Sequence, residues 1–117
     1  MKNFKNLRIW QTGYSIAIDT YKLLKTFPTE ERFGLSRQIA KAAVSIPSNI
    51  AEGSSRNSQK DYGHFIEISL GSSFELETQI LIADSLDFGD HLLRASILKN
   101  IEKENIMLHS FLSTLKK

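Results

Sequence analysis

Leu35 to Gly53 reads LSRQIAKAAVSIPSNIAEG, and no other stretch of the chain constrains its architecture as tightly. Small residues dominate it: Ala40, Ala42, Ala43, Ser45, Ser48 and Ala51. Larger apolar residues recur at Leu35, Ile39, Ile46 and Ile50, with Ala42 and Ala43 between them, which is helical spacing. Small side chains let neighbouring helices approach closely, so this helix is expected at the centre of the protein. Pro47 stands where the helix should continue. It lacks a backbone donor, and its ring crowds the carbonyl of Ala43. Two outcomes are open. The helix is kinked, with Ser45, Ser48 or Asn49 satisfying nearby backbone groups. Alternatively it breaks, with Ser45 capping a new helix.

Working outward, the N-terminal side predicts a helix from about Leu7 to Thr26. Leu7, Trp10, Tyr14, Ala17, Tyr21 and Leu24 step by three and four, a heptad seam. Ile9, Ile16 and Leu23 form a second stripe more than about 90° away around the axis. Phe27-Pro28 ends this helix. Thr29, followed by Glu30 and Glu31, suits the next N-terminus. On the other side, Gly53 and Ser54 to Asn57 close the central helix. Ser58 with Asp61 resembles a capping box opening a third helix, Gln59 to Leu86. Its seam is Tyr62, Ile66, Ser69, Ser73, Leu76, Ile80 and Ala83, with a second stripe of Leu70, Phe74 and Leu81. Gly71 implies a close helix contact, because an interior glycine otherwise costs up to about 1 kcal/mol. Asp87, Gly89 and Asp90 make a turn. A fourth helix follows from His91 to Leu115, with Leu98, Ile101, Asn105, Leu108, Leu112 and Leu115 as its seam, flanked by Ile97, Met107 and Phe111. Nothing competes as a strand, and short loops favour antiparallel neighbours. The expected fold is all-α: a single domain over residues 1–117, an up-down antiparallel four-helix bundle with a kinked second helix. The two extra stripes predict a homo-oligomer whose interface is Ile9, Ile16, Leu23, Leu70, Phe74 and Leu81.

The central stretch also carries a resemblance. SRQIAKAAVSIPSNIAEG, continued by SRNSQKDYGHFIEISLGSSFELETQI from Ser55 to Ile80, resembles the bacterial four helix bundle protein family. That family was first noted in proteins encoded within intervening sequences of the 23S rRNA gene. The similarity extends from Phe4, Leu7 and Trp10 to GSSFELETQ. One departure is Ala40 before a single Lys41, where the family often has two adjacent basic residues. The resemblance implies an all-helical bundle, usually a homopentamer. Similarity to accessory proteins of diversity-generating retroelements implies contact with RNA or a reverse-transcriptase-like ribonucleoprotein.

Composition narrows the function classes. The chain has 117 residues and no cysteine, which excludes disulfides and thiolate chemistry. No apolar run approaches the ~18 residues of a membrane span. MKNFKNLRIW lacks the apolar core of a signal peptide. A bacterial cytoplasmic protein with no membrane partner is expected. The net charge is only +2, yet unevenly spread. Residues 1–60 hold ten Lys/Arg against four Asp/Glu, whereas residues 61–90 hold seven acids and no Lys/Arg. Such segregation suits either partner steering or helices of opposite charge lying side by side.

The candidate nucleic-acid contacts are Arg37, Lys41, Arg56 and Lys60, with Lys22 and Lys25 as further cations. Arg37 and Lys41 are four apart on one helix face, and Arg56 and Lys60 flank a turn. The plainer reading is a solvated face. Asn49, Glu52, Ser72 and Glu75 are the polar candidates, expected to form a structural network pairing the second and third helices. His64, His91 and His109 belong to no metal motif, and no phosphate loop or nucleophile elbow is present. No catalytic residue, metal or cofactor is expected. The expectation is a non-enzymatic homo-oligomeric binding module, with a protein-interaction scaffold as the competing reading.

Overall fold

The structure, a computed structural model, describes residues 3–115. Four α-helices carry the fold: α1 (Arg8–Leu24), α2 (Leu35–Ser54), α3 (Gln59–Ser85) and α4 (His91–Leu115). Short 3₁₀ turns at Phe4–Asn6 and Thr29–Glu31 precede α1 and α2. No strand occurs among the described residues. Each helix packs on its neighbours in a closed circuit, α1 on α2, α2 on α3, α3 on α4 and α4 on α1. Among the described residues the diagonal pairs bring no Cα atoms within 8 Å of each other. Residue pairings give the directions. Ser45 meets Ser72, while Gly53 meets Tyr62 and Phe65, so α2 and α3 are antiparallel. The start of α3 meets the end of α4 through Tyr62 and Phe111. The chain is therefore an up-down-up-down bundle, 44 × 23 × 20 Å.

α2 runs unbroken through Pro47, with Pro47 itself buried. Ser45 is not a cap. Its hydroxyl instead accepts from Asn49 Nδ2 at 2.8 Å and bonds Ser72 Oγ at 2.8 Å. Asn49 Nδ2 also donates to the Ser45 carbonyl at 2.8 Å, which holds the segment around the proline helical. Ile39, Ala42, Ala43, Ile46 and Ile50 all lie in the core, as expected of a central helix. Thr29 does not open α2. The 3₁₀ turn Thr29–Glu31 intervenes, and α2 starts at Leu35 after Gly34.

The sequence-based interface needs correction. Ile9, Ile16, Leu23 and Leu70 are buried in the chain's own core, at 4%, 0%, 0% and 8% exposure. The inward face of α1 is Ile9, Gly13, Ile16, Thr20 and Leu23, spaced four, three, four and three, with Ala17 of the expected seam buried beside them. Tyr14 and Tyr21, expected in the seam, are half exposed instead. Gly13 and Thr20 make the inward stripe look broken in the sequence, yet both suit the interior. A Cβ at Gly13 would lie 2.9 Å from Glu104 Oε2 and 3.1 Å from Ile46 Cγ2. Thr20 returns its hydroxyl to the Ile16 carbonyl at 2.6 Å, so its burial leaves no open donor. Of the predicted interface residues, only Phe74 and Leu81 are exposed.

α3 follows its predicted seam, and every member is buried. Ser58 Oγ accepts from the Asp61 amide at 3.1 Å, the expected cap. Gly71 is different: a Cβ there would meet nothing within 4 Å, so it marks no close contact. The tight approach lies at Gly53. A Cβ there would fall 2.8 Å from Phe65 Cβ and 3.0 Å from Tyr62 Cδ1. Gly53→Ala should cost about 1–3 kcal/mol by overpacking, less up to about 1 kcal/mol of helix propensity gained. A denaturation midpoint at or above wild type would show that the α2–α3 corner opens freely.

Candidate nucleic-acid interface

The α1–α2 corner is built from residues that stop one helix and delay the next. α1 ends at Leu24, and Phe27 turns into the core against Phe88, with ring centroids 5.9 Å apart. Pro28 then bars further helix. The chain crosses in tight turns: the Glu31 amide donates to the Pro28 carbonyl at 3.0 Å, Arg32 to Thr29 at 3.1 Å, and Gly34 to Glu31 at 3.1 Å. This crossing leaves a cleft of about 530 Å³ between the end of α1 and the start of α2. Leu24, Phe27 and Pro28 supply apolar wall, and Tyr21, Lys25, Arg32, Phe33 and Arg37 also line it. Phe33 is 77% exposed, and the Arg32 guanidinium lies over its ring at 5.0 Å. Lys25, Arg32 and Arg37 pair with no carboxylate among the described residues.

The four predicted basic residues do not form one patch. Arg37 belongs to this corner. Lys41 lines a different cleft of about 300 Å³ between α2 and α3, with Gln38, Ser45, Ser72, Glu75 and Gln79. Arg56 lies beyond the far end of α2, about 28 Å from Arg37 at 1.5 Å per residue. It is already engaged, bonding Glu52 at 2.8 Å and lying over the Phe65 ring at 4.7 Å. Lys60 borders a third cleft with His64, Glu67 and Leu112. Sequence spacing places Arg37 and Lys41 correctly on one helix but cannot show that neighbouring helices divide their surroundings. It also passes over Arg32, Phe33 and Tyr21. The available signal is a basic–aromatic pair immediately before Gly34.

The polar network is partly as expected. Asn49 and Ser72 are joined through Ser45. Glu52 and Glu75 are exposed, and Glu52 serves Arg56 instead. α3 adds a further tie, Ser69 Oγ donating to the Ile46 carbonyl at 2.9 Å.

A second polar feature has no counterpart in the sequence reading. Glu104 on α4 is wholly buried, and neither carboxyl oxygen has a hydrogen-bond partner. Desolvation pushes its pKa up to about 8. The small space it borders at Gly13 is shared by Ile46 Cγ2 and by the nitrogen of Pro47, which carries no hydrogen to offer. An acid sealed in this way has no access to a substrate. Among the described residues no three His, Asp or Glu side chains converge as metal ligands would, and no helix is long and apolar enough to cross a membrane.

Fold and surface together define a small up-down four-helix bundle with a basic, aromatic corner. Residues 5–110 match the 23S rRNA-intervening sequence protein family, and the chain belongs to that family. Among solved structures it is similar to a protein of unknown function from the S23 ribosomal protein family of Bacteroides thetaiotaomicron. The TM-score is 0.82 at 22% identity, over 89% of this chain and 97% of the other. That likeness concerns the fold. No curated protein sequence matches the chain significantly.

Proposed function

We propose that this chain is a non-enzymatic, self-associating helical module of the bacterial cytoplasm that binds RNA or a ribonucleoprotein. The observation that carries the reading is the α1–α2 corner, where Lys25, Arg32 and Arg37 border one groove without a carboxylate partner among the described residues. Unpaired cations gathered in a concave surface hold phosphates, and the released counterions drive binding. Three such groups make a weak site. A repeated copy of the groove on each subunit raises the effective concentration of a bound strand.

Self-association is supported by apolar side chains left in water. Tyr14 and Ile18 are exposed on α1, and Phe74, Leu81 and Ile82 on α3, each at 43–49%. α1 and α3 are diagonal in the bundle, so their outer faces look in different directions. Two separate patches of this kind suit a heterologous contact, in which one face meets the other and a ring closes. A pentamer is the ring implied by the family resemblance. The same apolar faces favour the second reading, a scaffold that binds only proteins.

Salt-dependent retention on RNA separates the two. Wild type should be retained at about 50 mM salt, and removing one phosphate-binding cation should lower the log–log salt slope by about 0.7. Lys25→Glu with Arg37→Glu should abolish retention while the oligomeric mass by light scattering stays unchanged. Phe74→Glu with Leu81→Glu should dissociate the assembly, because a charge would be buried unpaired. No retention of wild type at low salt would leave the scaffold reading standing.

A further inference from the structure

We propose that the α1–α2 corner holds an unpaired nucleotide of single-stranded nucleic acid, its base stacked on Phe33 and its flanking phosphates held by Lys25, Arg32 and Arg37. This rests on the RNA-binding reading above and specifies the form of nucleic acid that the corner accepts.

Phe33 lines the corner at the last position before Gly34. A phenylalanine at 77% exposure contributes little to the core, and Tyr21 across the same groove is 50% exposed. Most of the Phe33 ring stays open even with Arg32 over it. Its position is nevertheless set. The three backbone hydrogen bonds of the crossing bracket it, and Gly34 leads directly into α2. An aromatic carried on a fixed backbone has only its two side-chain torsions to order when something stacks on it.

Charge then selects the occupant. An apolar peptide would have no use for three cations without a carboxylate partner lining the same groove. Glu30 and Glu31 share the turn but do not line the groove, so the positive charge is concentrated where the aromatics are. Aromatic rings beside a basic track are how proteins bind unpaired strands, since every base presents a π-face. A duplex fits poorly. Its base faces are hidden in the stack, and it would contact the corner through phosphates alone. The groove volume lies within the range of small-ligand sites, enough for one nucleotide and not for a helix.

The test measures binding of the full-length protein to a fluorescently labelled short oligouridylate, to oligothymidylate, and to a blunt-ended RNA duplex of matched charge. The single strands should bind with similar affinity and the blunt duplex about ten-fold more weakly. Equal binding of uridylate and thymidylate assigns the site to stacking and phosphates; a strong preference for uridylate adds the 2′-hydroxyl as a contact. Phe33→Ala should weaken single-strand binding by about five-fold or more, and Phe33→Trp should restore it. Because Phe33 is exposed, both variants should melt as wild type does.

If Phe33→Ala binds single strands as wild type does, or if the blunt duplex binds equally well, the inference fails and general RNA binding survives. If none of the probes binds at low salt, both fall. If Phe33→Ala changes the oligomeric mass, the ring is a contact between copies and the inference is overturned.

Discussion

Glu104→Gln is expected to remove most of the pH dependence of folding between pH 4.5 and about 8. In the wild type the buried carboxyl group stays neutral up to about pH 8, whereas in the unfolded chain it ionises near 4.5. Between those values the folded state holds one more proton than the unfolded state. Stability therefore falls as pH rises through this window. It is fully present below the lower value and is lost by the upper one. At about 1.4 kcal/mol per pH unit, the loss is on the order of 3–5 kcal/mol, comparable to much of a small domain's stability. Glutamine keeps the side chain's shape and cannot ionise. The variant should match wild type in acid and be the more stable protein near pH 8. Denaturant midpoints measured across the window decide the matter. Parallel curves for the two proteins would mean that water reaches the carboxyl group and that the α1–α2–α4 junction is looser than its packing.

Arg94→Met should be the most damaging single change at the α3–α4 turn. Arg94 is 3% exposed, and its guanidinium gathers four acceptors. It bonds Asp84 Oδ1 at 3.0 Å, Asp87 Oδ1 at 3.0 Å, and the carbonyls of Phe88 and Gly89. Burial works against the charge, but hydrogen bonds to the two aspartates outweigh it and hold the pKa above the ordinary arginine value. The aspartates are themselves exposed and would rehydrate if released. The two carbonyls matter more, because they belong to a turn with positive φ at Asp87 (55°) and Gly89 (75°). Methionine preserves the apolar stem and removes every donor, for a loss of about 3 kcal/mol. Lysine should recover only part, since it lacks the fork that spans several acceptors. Should Arg94→Met unfold at the wild-type midpoint, the turn is held by the Phe27–Phe88 contact and by the Asp90 amide on Thr26 Oγ1 instead.

The core of α3 is legible directly. Periodicity places Tyr62, Ile66, Ser69, Ser73, Leu76, Ile80 and Ala83 inside, and the structure buries them all. α1 is not. It offers two stripes, and the more aromatic one is divided: Ala17 is buried, Leu7, Trp10 and Leu24 pack against the edge of the core, and Tyr14 and Tyr21 lie at the surface. Amphipathic tyrosines tolerate that position because the hydroxyl stays wet. The inner stripe includes Gly13, suited there not by hydrophobicity but by the absence of a side chain opposite Glu104 and Ile46.

The candidate site divides in the same way. Arg37 is legible as a helical cation, and Lys25 as part of the basic N-terminal half. Their meeting with Arg32, Phe33 and Tyr21 is not, because it depends on how the chain crosses from α1 to α2. The Lys41 and Lys60 surroundings are likewise set by side chains of a neighbouring helix, whereas the Arg56–Glu52 pair joins residues four apart, a spacing visible in the sequence.

By itself the sequence determined the four helices, most of their ends, the Ser58 cap, the glycine turn at residue 89 and the up-down order of the bundle. Those depend on neighbours within a few residues, where periodicity, proline, glycine and capping chemistry act. Only the tertiary structure decided which α1 stripe faces inward, that Glu104 and Arg94 are buried, and which cations share a groove. Periodicity gives the angle of a residue around its own helix, but burial and pairing depend on what the neighbouring helices present at that angle.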